Sequence, residues 1–462
     1  MSDYSVKELE EWNEKIEKIA HDEGLNYYPQ EFEIISHDDM IGYEAYIGMP
    51  SHYPHWSFGK AFERAKTLNK YNMQGLPYEM VINCDPCLAY LMKDNTLLLQ
   101  ILTIAHVYGH NDFFKNNRLF KEGTDAKYTI EMFKNQADRV RNYINDPSIG
   151  YRKVERVLDA AHALKFQIGR MIGEKKISYA EERRRIRERY QKPNDEYNLL
   201  RWKGEKSDEE PIDINKIPPN PDEDVLGFLK QFAPLEEWER DILSIVNEES
   251  KYFLPQIETK IMNEGWASFW HYSILNKLNL DQKLHIEFLK RHNQVIRPFK
   301  GQINPYYVGF KIFEDLMNRY GIEKIFEVRQ VERDQSFLRK YLTQELCQEL
   351  NLFEYKTSGS EYHVTEVSDD DGWKEIRNTL ALSVGLGGIP TIKVTEMVKK
   401  DNLIVLEHDY DGREIELSYA YETLKYIAEL WGGKIILTTN LDNTKKVISC
   451  DENKKITMTN YS

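Results

Sequence analysis

Leu97-Leu98-Leu99-Gln100-Ile101-Leu102-Thr103-Ile104-Ala105-His106-Val107-Tyr108-Gly109-His110-Asn111-Asp112-Phe113-Phe114 is the stretch that decides how this chain folds. Apolar residues fall on nearly every side of a helical wheel. The spacing therefore predicts a helix over 96–116 that is buried all round, capped by Asn95 or Thr96. His106 and His110 stand four residues apart and share one face. A buried imidazole without a partner is costly. Taken alone, the pair fits two core histidines bonded to neighbouring groups, or two ligands of one metal ion.

Far downstream the chain reads Asn263-Glu264-Gly265-Trp266-Ala267-Ser268-Phe269-Trp270-His271, in a stretch whose spacing suits a buried helix. A carboxylate among two tryptophans and a phenylalanine must be paired, protonated or metal-bound. With Glu264 in view, the metal reading gains. His106, His110 and Glu264 make a three-ligand set for a divalent ion with an open position. Zinc is the first expectation and iron the alternative. His271 lies two turns beyond Glu264, about 10 Å by helix rise, so it is expected in a structural or supporting role.

The Glu264 segment is similar to the glutamate helix of the gluzincin metallopeptidases, where an Asn-Glu-Gly-aromatic-Ala run follows a His-Glu-x-x-His helix. One position departs from that pattern. Val107 stands where those enzymes carry the glutamate that activates the metal-bound water. A hydrolase built on this set needs its base elsewhere, and Asp112, Asp159 or His162 is expected to serve. Glu155, Asp159 and His162 fall on one helical face. That face could support a metal site or be a plain surface stripe.

Several words of the chain point to one family. They are Met49-Pro50-Ser51-His52-Tyr53-Pro54-His55-Trp56, His106-Val107-Tyr108-Gly109-His110-Asn111-Asp112, Asp159-Ala160-Ala161-His162, Asn263 through Tyr272, and Ile303-Asn304-Pro305-Tyr306. In this order they closely resemble the SpoVR family, the stage V sporulation protein R of spore-forming bacteria and its relatives. The resemblance spans most of the chain and implies a role in spore cortex formation. It implies no particular reaction. An amide hydrolase acting on a protein or a cell-wall precursor is the leading expectation. A non-catalytic regulator or scaffold with a structural or relic metal is the rival, and a non-haem iron protein the third.

The 462 residues are enough for two or three domains. A hydrophobic share of 41% marks a folded chain. The net charge of -14 argues against a dedicated nucleic-acid or anionic-membrane binder. The amino-terminal residues lack the pattern of a signal peptide, and no stretch reaches the length of a membrane span. A cytoplasmic protein is expected. Four cysteines make no disulfide framework. Cys84-Asp85-Pro86-Cys87 reads as a helix start, with redox or zinc binding as the alternatives.

The predicted architecture is a mainly α-helical core over 1–354, with a zincin-like metal-site arrangement as one form of it, and a small α+β domain over 355–462. Strands are expected at 31–35 and 42–47, and helices at 86–93 and 224–246. The proline-rich acidic stretch 202–224 reads as an exposed linker or insertion. In the carboxy-terminal part, strands are expected at 363–366, 391–394, 403–407, 414–417, 434–439 and 446–449, with a helix at 419–431. Gly385-Leu386-Gly387-Gly388 reads as a turn or hinge, since it lacks the ending of a phosphate loop. The run Arg183 to Arg189 reads as a solvated helix face laced with ion pairs, or as a docking patch for an acidic partner.

Overall fold

The computed structural model describes residues 4–70, 79–191, 216–298, 302–358 and 361–461. The chain folds into two compact units. Residues 1–145 and 251–388 form the first, and 146–250 with 389–462 form the second. Each unit is thus discontinuous in sequence, and the division differs from the boundary expected after residue 354.

The first unit begins with α1 (Val6–Asp22), β1 (Gln30–Ile35), α2 (His37–Ala45) and α3 (Trp56–Lys70). Strands β2 (Glu79–Ile82) and β3 (Cys87–Met92) lead into α4 (Leu97–Asn116), α5 (Arg118–Gly123) and α6 (Thr129–Asn145). The second unit takes over with α7 (Tyr151–Ala163), α8 (Tyr179–Gln191), α9 (Val225–Phe232) and most of α10 (Glu237–Glu258). The first unit resumes with α11 (Lys260–Lys277), α12 (Gln282–Val295), α13 (Pro305–Tyr320), α14 (Ile322–Val331), α15 (Asp334–Tyr341) and α16 (Gln344–Glu349). Hairpin β4 (Phe353–Ser358) and β5 (Glu361–Val367) and helix α17 (Gly372–Ser383) complete it. The rest of the second unit is β6 (Ile392–Val398), β7 (Leu403–His408), α18 (Leu417–Trp431), β8 (Lys434–Leu441), β9 (Thr444–Cys450) and β10 (Ile456–Asn460).

Helix α4 is the spine of the first unit. It is buried on all sides, as its all-round apolar pattern requires, and Thr96 caps it by accepting from Leu99 N at 3.3 Å. Helices α4, α11 and α13 pack through glycines. A Cβ on Gly109 would sit 2.7 Å from Ala267 Cα, and one on Gly265 would sit 2.4 Å from the backbone of Gly309. Any side chain at these two crossings would push the helices apart. Trp266, Trp270, Phe313 and Phe337 fill the surrounding core. Asp334 anchors the start of α11 by accepting from Ile261 N and Met262 N at 2.8 and 2.9 Å.

Two expected elements of the first unit take another form. The segment expected as a helix at 86–93 is strand β3, the centre of a three-stranded sheet in the order β1-β3-β2, parallel to β1 and antiparallel to β2. Residues 42–47, expected as a strand, belong mostly to α2. Ser36 and Asp39 cap α2 reciprocally, and its acidic first turn suits a helix start. Cys84 and Cys87 are buried free thiols that both donate to the carbonyl of Ile82, at 3.5 and 3.4 Å.

The second unit carries a mixed sheet in the order β10-β9-β8-β7-β6. Its one parallel pair, β7 with β8, is connected through α18. Residues 414–417, expected as a strand, form none; Glu416 instead caps α18 through Tyr419 N at 2.8 Å. The expected helix at 224–246 breaks into α9 and α10. Of the expected linker, residues 202–215 lie outside the described residues. Residues 216–224 do not behave as an exposed linker: Pro218, Pro219 and Asp222 are buried, and Asp222 pairs with Val394 beside β6. On α8, Arg184 and Arg185 both pair with Glu181, as a solvated ion-paired face should. Residues 385–388 form a 3₁₀ turn in the first unit.

Candidate metal centre

The crossing of α4 and α11 brings together what the spacing implied. Glu264 Oε2 lies 3.5 Å from His110 Nε2 and 3.8 Å from His106 Nε2. A second carboxylate arrives from β2, where Glu79 Oε1 lies 3.7 Å from His106 Nε2. Glu79, His106 and His110 offer ligand atoms that all lie within 4.8 Å of one another. The imidazoles are only 4% and 8% exposed, and the Glu79 and Glu264 side chains 15% and 20%. The carboxylate side of the cluster is thus its more exposed side.

None of these three contacts is short enough for a hydrogen bond. His106 Nε2 and Glu264 Oε2 are shielded from water and have no hydrogen-bonding partner. Native proteins seldom leave such groups unsatisfied. Two imidazole nitrogens and two carboxylates converging with unspent lone pairs fit a divalent cation.

The far sides of the rings are held. His110 Nδ1 lies 2.9 Å from Asn263 Oδ1. An amide oxygen only accepts, so His110 carries its proton on Nδ1 and turns the Nε2 lone pair to the cluster. His106 Nδ1 lies 2.9 Å from His271 Nδ1, and His271 Nε2 lies 2.8 Å from His292 Nδ1. Tyr306 stacks on the His106 ring at 6.1 Å. Burial, then the neighbouring His106, lowers the His110 pKa to about 4. Burial raises Glu79 above the usual carboxylate range, and His106 opposes that shift. Burial acts the same way on Glu264, but there His106 and His110 outweigh it and hold the group below that range.

Of the three residues expected as bases, one is turned away from the cluster and two belong to the second unit. Asp112 is fully buried, two residues past His110 and on another face of α4. Its oxygens accept from Asn26 N at 2.8 Å and Trp266 Nε1 at 2.9 Å, and Arg329 Nε is 3.5 Å away. Burial first, opposed by Arg329, raises its pKa to about 6. It is a structural hub. Asp159 and His162 lie on α7, in the second unit, both half-buried. Asp159 faces the phenols of Tyr151 and Tyr426 there. His52, in the loop before α3, packs at 4.3 Å on Phe58 and accepts from Tyr53 N. Asn304 caps α13 through Tyr306 N and donates to Val295 and Arg297 carbonyls.

Sequence reasoning passed over Glu79, Asn263 and the partnership of His271 with His292. Asn263 adjoins Glu264 and is the one of these that a helical wheel could have flagged. Glu79 opens a four-residue strand and carries no periodic signal.

Comparisons with known proteins agree with the sequence words. A family model described as "SpoVR like protein" matches residues 3–389, and one described as "SpoVR-like C-terminal domain" matches 390–442. The "Uncharacterized protein YcgB" of Escherichia coli (strain K12) is 34% identical over 475 aligned residues, covering 94% of this chain and 92% of that protein. No solved structure matches. The boundary between the two family regions falls within one residue of the point where the second compact unit resumes. Sequence words and whole-chain matches lead to the same conclusion: this chain belongs to the SpoVR family.

Proposed function

We propose that His106, His110 and Glu264 hold one divalent metal ion, and that the centre performs metal-dependent amide hydrolysis in spore cortex formation. The observation that carries the metal reading is the pair of buried, partnerless atoms, His106 Nε2 and Glu264 Oε2, turned to a common point. A bound divalent ion would polarise a carbonyl or make a water more acidic.

The chain's own residues divide the remaining work. His106 and His110 bind through Nε2, with Asn263 fixing the second ring. Glu264 is held ionised between the two rings and supplies the anionic ligand. Val107 is fully buried and apolar, so it moves no proton. Glu79 has the place and the proton affinity to act as the base, because its carboxylate borders the same nitrogens and is held above its ordinary range by burial. The substrate approaches from the carboxylate side. A cell-wall precursor or a protein suits a cytoplasmic enzyme better than finished wall does. The His-x-x-x-His and glutamate helices support reading the arrangement as zincin-like.

Glu79 also favours a second reading. Two histidines with two carboxylates form an oxygen-rich set that suits iron as well as zinc. Elemental analysis of the purified protein tests both. One equivalent of zinc or iron in the wild type, lost in His106→Ala, is the expected result. A wild type without metal, or an equal content in His106→Ala, overturns the proposal.

A further inference from the structure

Behind His106 runs a chain of three imidazoles. His106 Nδ1 meets His271 Nδ1 at 2.9 Å, and His271 Nε2 meets His292 Nδ1 at 2.8 Å. His271 is completely buried and His292 is 3% exposed. The His292 ring is clamped against Tyr272 at 4.6 Å and Phe310 at 5.0 Å. Each nitrogen–nitrogen contact needs one proton and one lone pair. Two neutral arrangements satisfy both contacts, and they run in opposite directions.

In one arrangement His292 donates to His271 and His271 donates to His106. His106 Nε2 then carries a proton, aimed at carboxylates 3.7 and 3.8 Å away, too far to accept it. In the other, His106 donates from Nδ1 to His271, and His271 donates from Nε2 to His292. His106 Nε2 then presents a lone pair, matching the state that Asn263 sets in His110. Only the second arrangement gives two lone pairs converging on one point.

We propose that His271 and His292 are positioning residues of the metal centre, holding His106 in the tautomer and orientation that bind the ion through Nε2. This rests on the reading of His106 as a ligand. Neither residue touches the metal point. Both act through the hydrogen bond behind a ligand, the kind of support whose loss costs about 10- to 100-fold in metal affinity.

Competition titrations with Zn²⁺ and Co²⁺ on the full-length protein test the idea. His271→Phe keeps a planar aromatic ring but cannot accept from His106; a loss of about 10- to 100-fold is expected. His271→Gln restores an acceptor and should recover most of that loss. A purely packing role predicts that affinity follows thermal stability in both variants, with no recovery tied to the acceptor. His292→Phe, one step removed and built among aromatic rings, provides the measurement should His271→Phe not fold, with about tenfold expected. His106→Ala serves as the reference. If it binds metal as the wild type does, the ligand assignment itself fails. If it abolishes binding while His271→Phe or His292→Phe leaves affinity unchanged, the positioning role fails alone.

Discussion

Glu79 and Glu264 face the same two imidazoles with opposite inclinations. Burial keeps Glu79 disposed to hold a proton, while the flanking histidines keep Glu264 ionised. Glu79→Gln separates the two roles open to Glu79. As a base its loss leaves metal content intact and abolishes cortex formation; as a fourth ligand its loss removes metal. A variant with full metal and normal cortex would exclude both. A different single residue sets an acid limit on stability. Burial, assisted by Arg141 and His55, lowers the His52 pKa to about 3. As pH falls, the unfolded chain takes up this proton first, near 6.5. The contribution is therefore complete above that value and shrinks towards pH 3, at about 1.4 kcal/mol per pH unit. From pH 6.5 to 5 the wild type should lose about 2 kcal/mol more than His52→Phe does, read from denaturant midpoints. Equal losses would sink the assignment. The convergence of His106, His110 and Glu264 was legible in sequence because i, i+4 spacing and an acid among aromatics both carry physical meaning. Asp112 misled because two residues turn a helix by about 200°, so proximity to His110 in sequence is opposition in space. Glu79 was invisible because one acid at the head of a short strand has no period.

At the level of elements, the site depends on how closely three helices approach. Gly265→Ala would place a methyl 2.4 Å from Gly309 and 2.8 Å from Phe310 N. Backbone cannot yield as a flexible side chain can, so a loss of about 1–3 kcal/mol or more is expected. Glu264 is the adjacent residue, and metal affinity should fall with stability. Gly59→Ala is the matched control: nothing lies within 4 Å of its added methyl, and the residue is inside α3, so stability should rise by up to about 1 kcal/mol. Thermal melts of both variants decide the matter, and a Gly265→Ala protein melting like the wild type would refute the close-packing account. Helices α4 and α11 were readable because they are long and buried on every face. The misread elements are short. Cys87–Met92 is six residues of apolar chain, a length at which buried strand and buried helix share one pattern. What makes it a strand is its pairing with β1 and β2, which are non-local partners. Residues 42–47 were misread because a helix starts just before them, where Asp39 and Ser36 exchange hydrogen bonds at the head of α2.

Across the whole molecule, the chain passes from the first compact unit to the second, back, and out again. Composition could not foretell this, because nothing in a run of residues says which distant run it packs against. Glu79, His106, His110 and Glu264 all lie in the first unit. Metal bound there stabilises that unit by mass action, about 2.7 kcal/mol when free ion is a hundredfold above its dissociation constant. A unit of this size shifts by about 2–4 °C for each kcal/mol. Chelator should therefore lower one calorimetric transition by about 5–10 °C and leave any second transition in place. Glu264→Gln carries the same logic into function. Glutamine keeps the shape of the side chain, so packing around Trp266 and Phe269 is preserved while the anionic ligand is lost. If the ion is catalytic, the variant melts no further below the metal-loaded wild type than that mass-action term allows, stays soluble and makes defective cortex. If the ion is structural, the variant and the chelated wild type both melt far below the metal-loaded wild type, and the variant accumulates poorly, with the cortex defect following its abundance. Normal cortex from a Glu264→Gln protein that has lost its metal would refute the proposed function outright, because neither chemistry nor support could then depend on the centre.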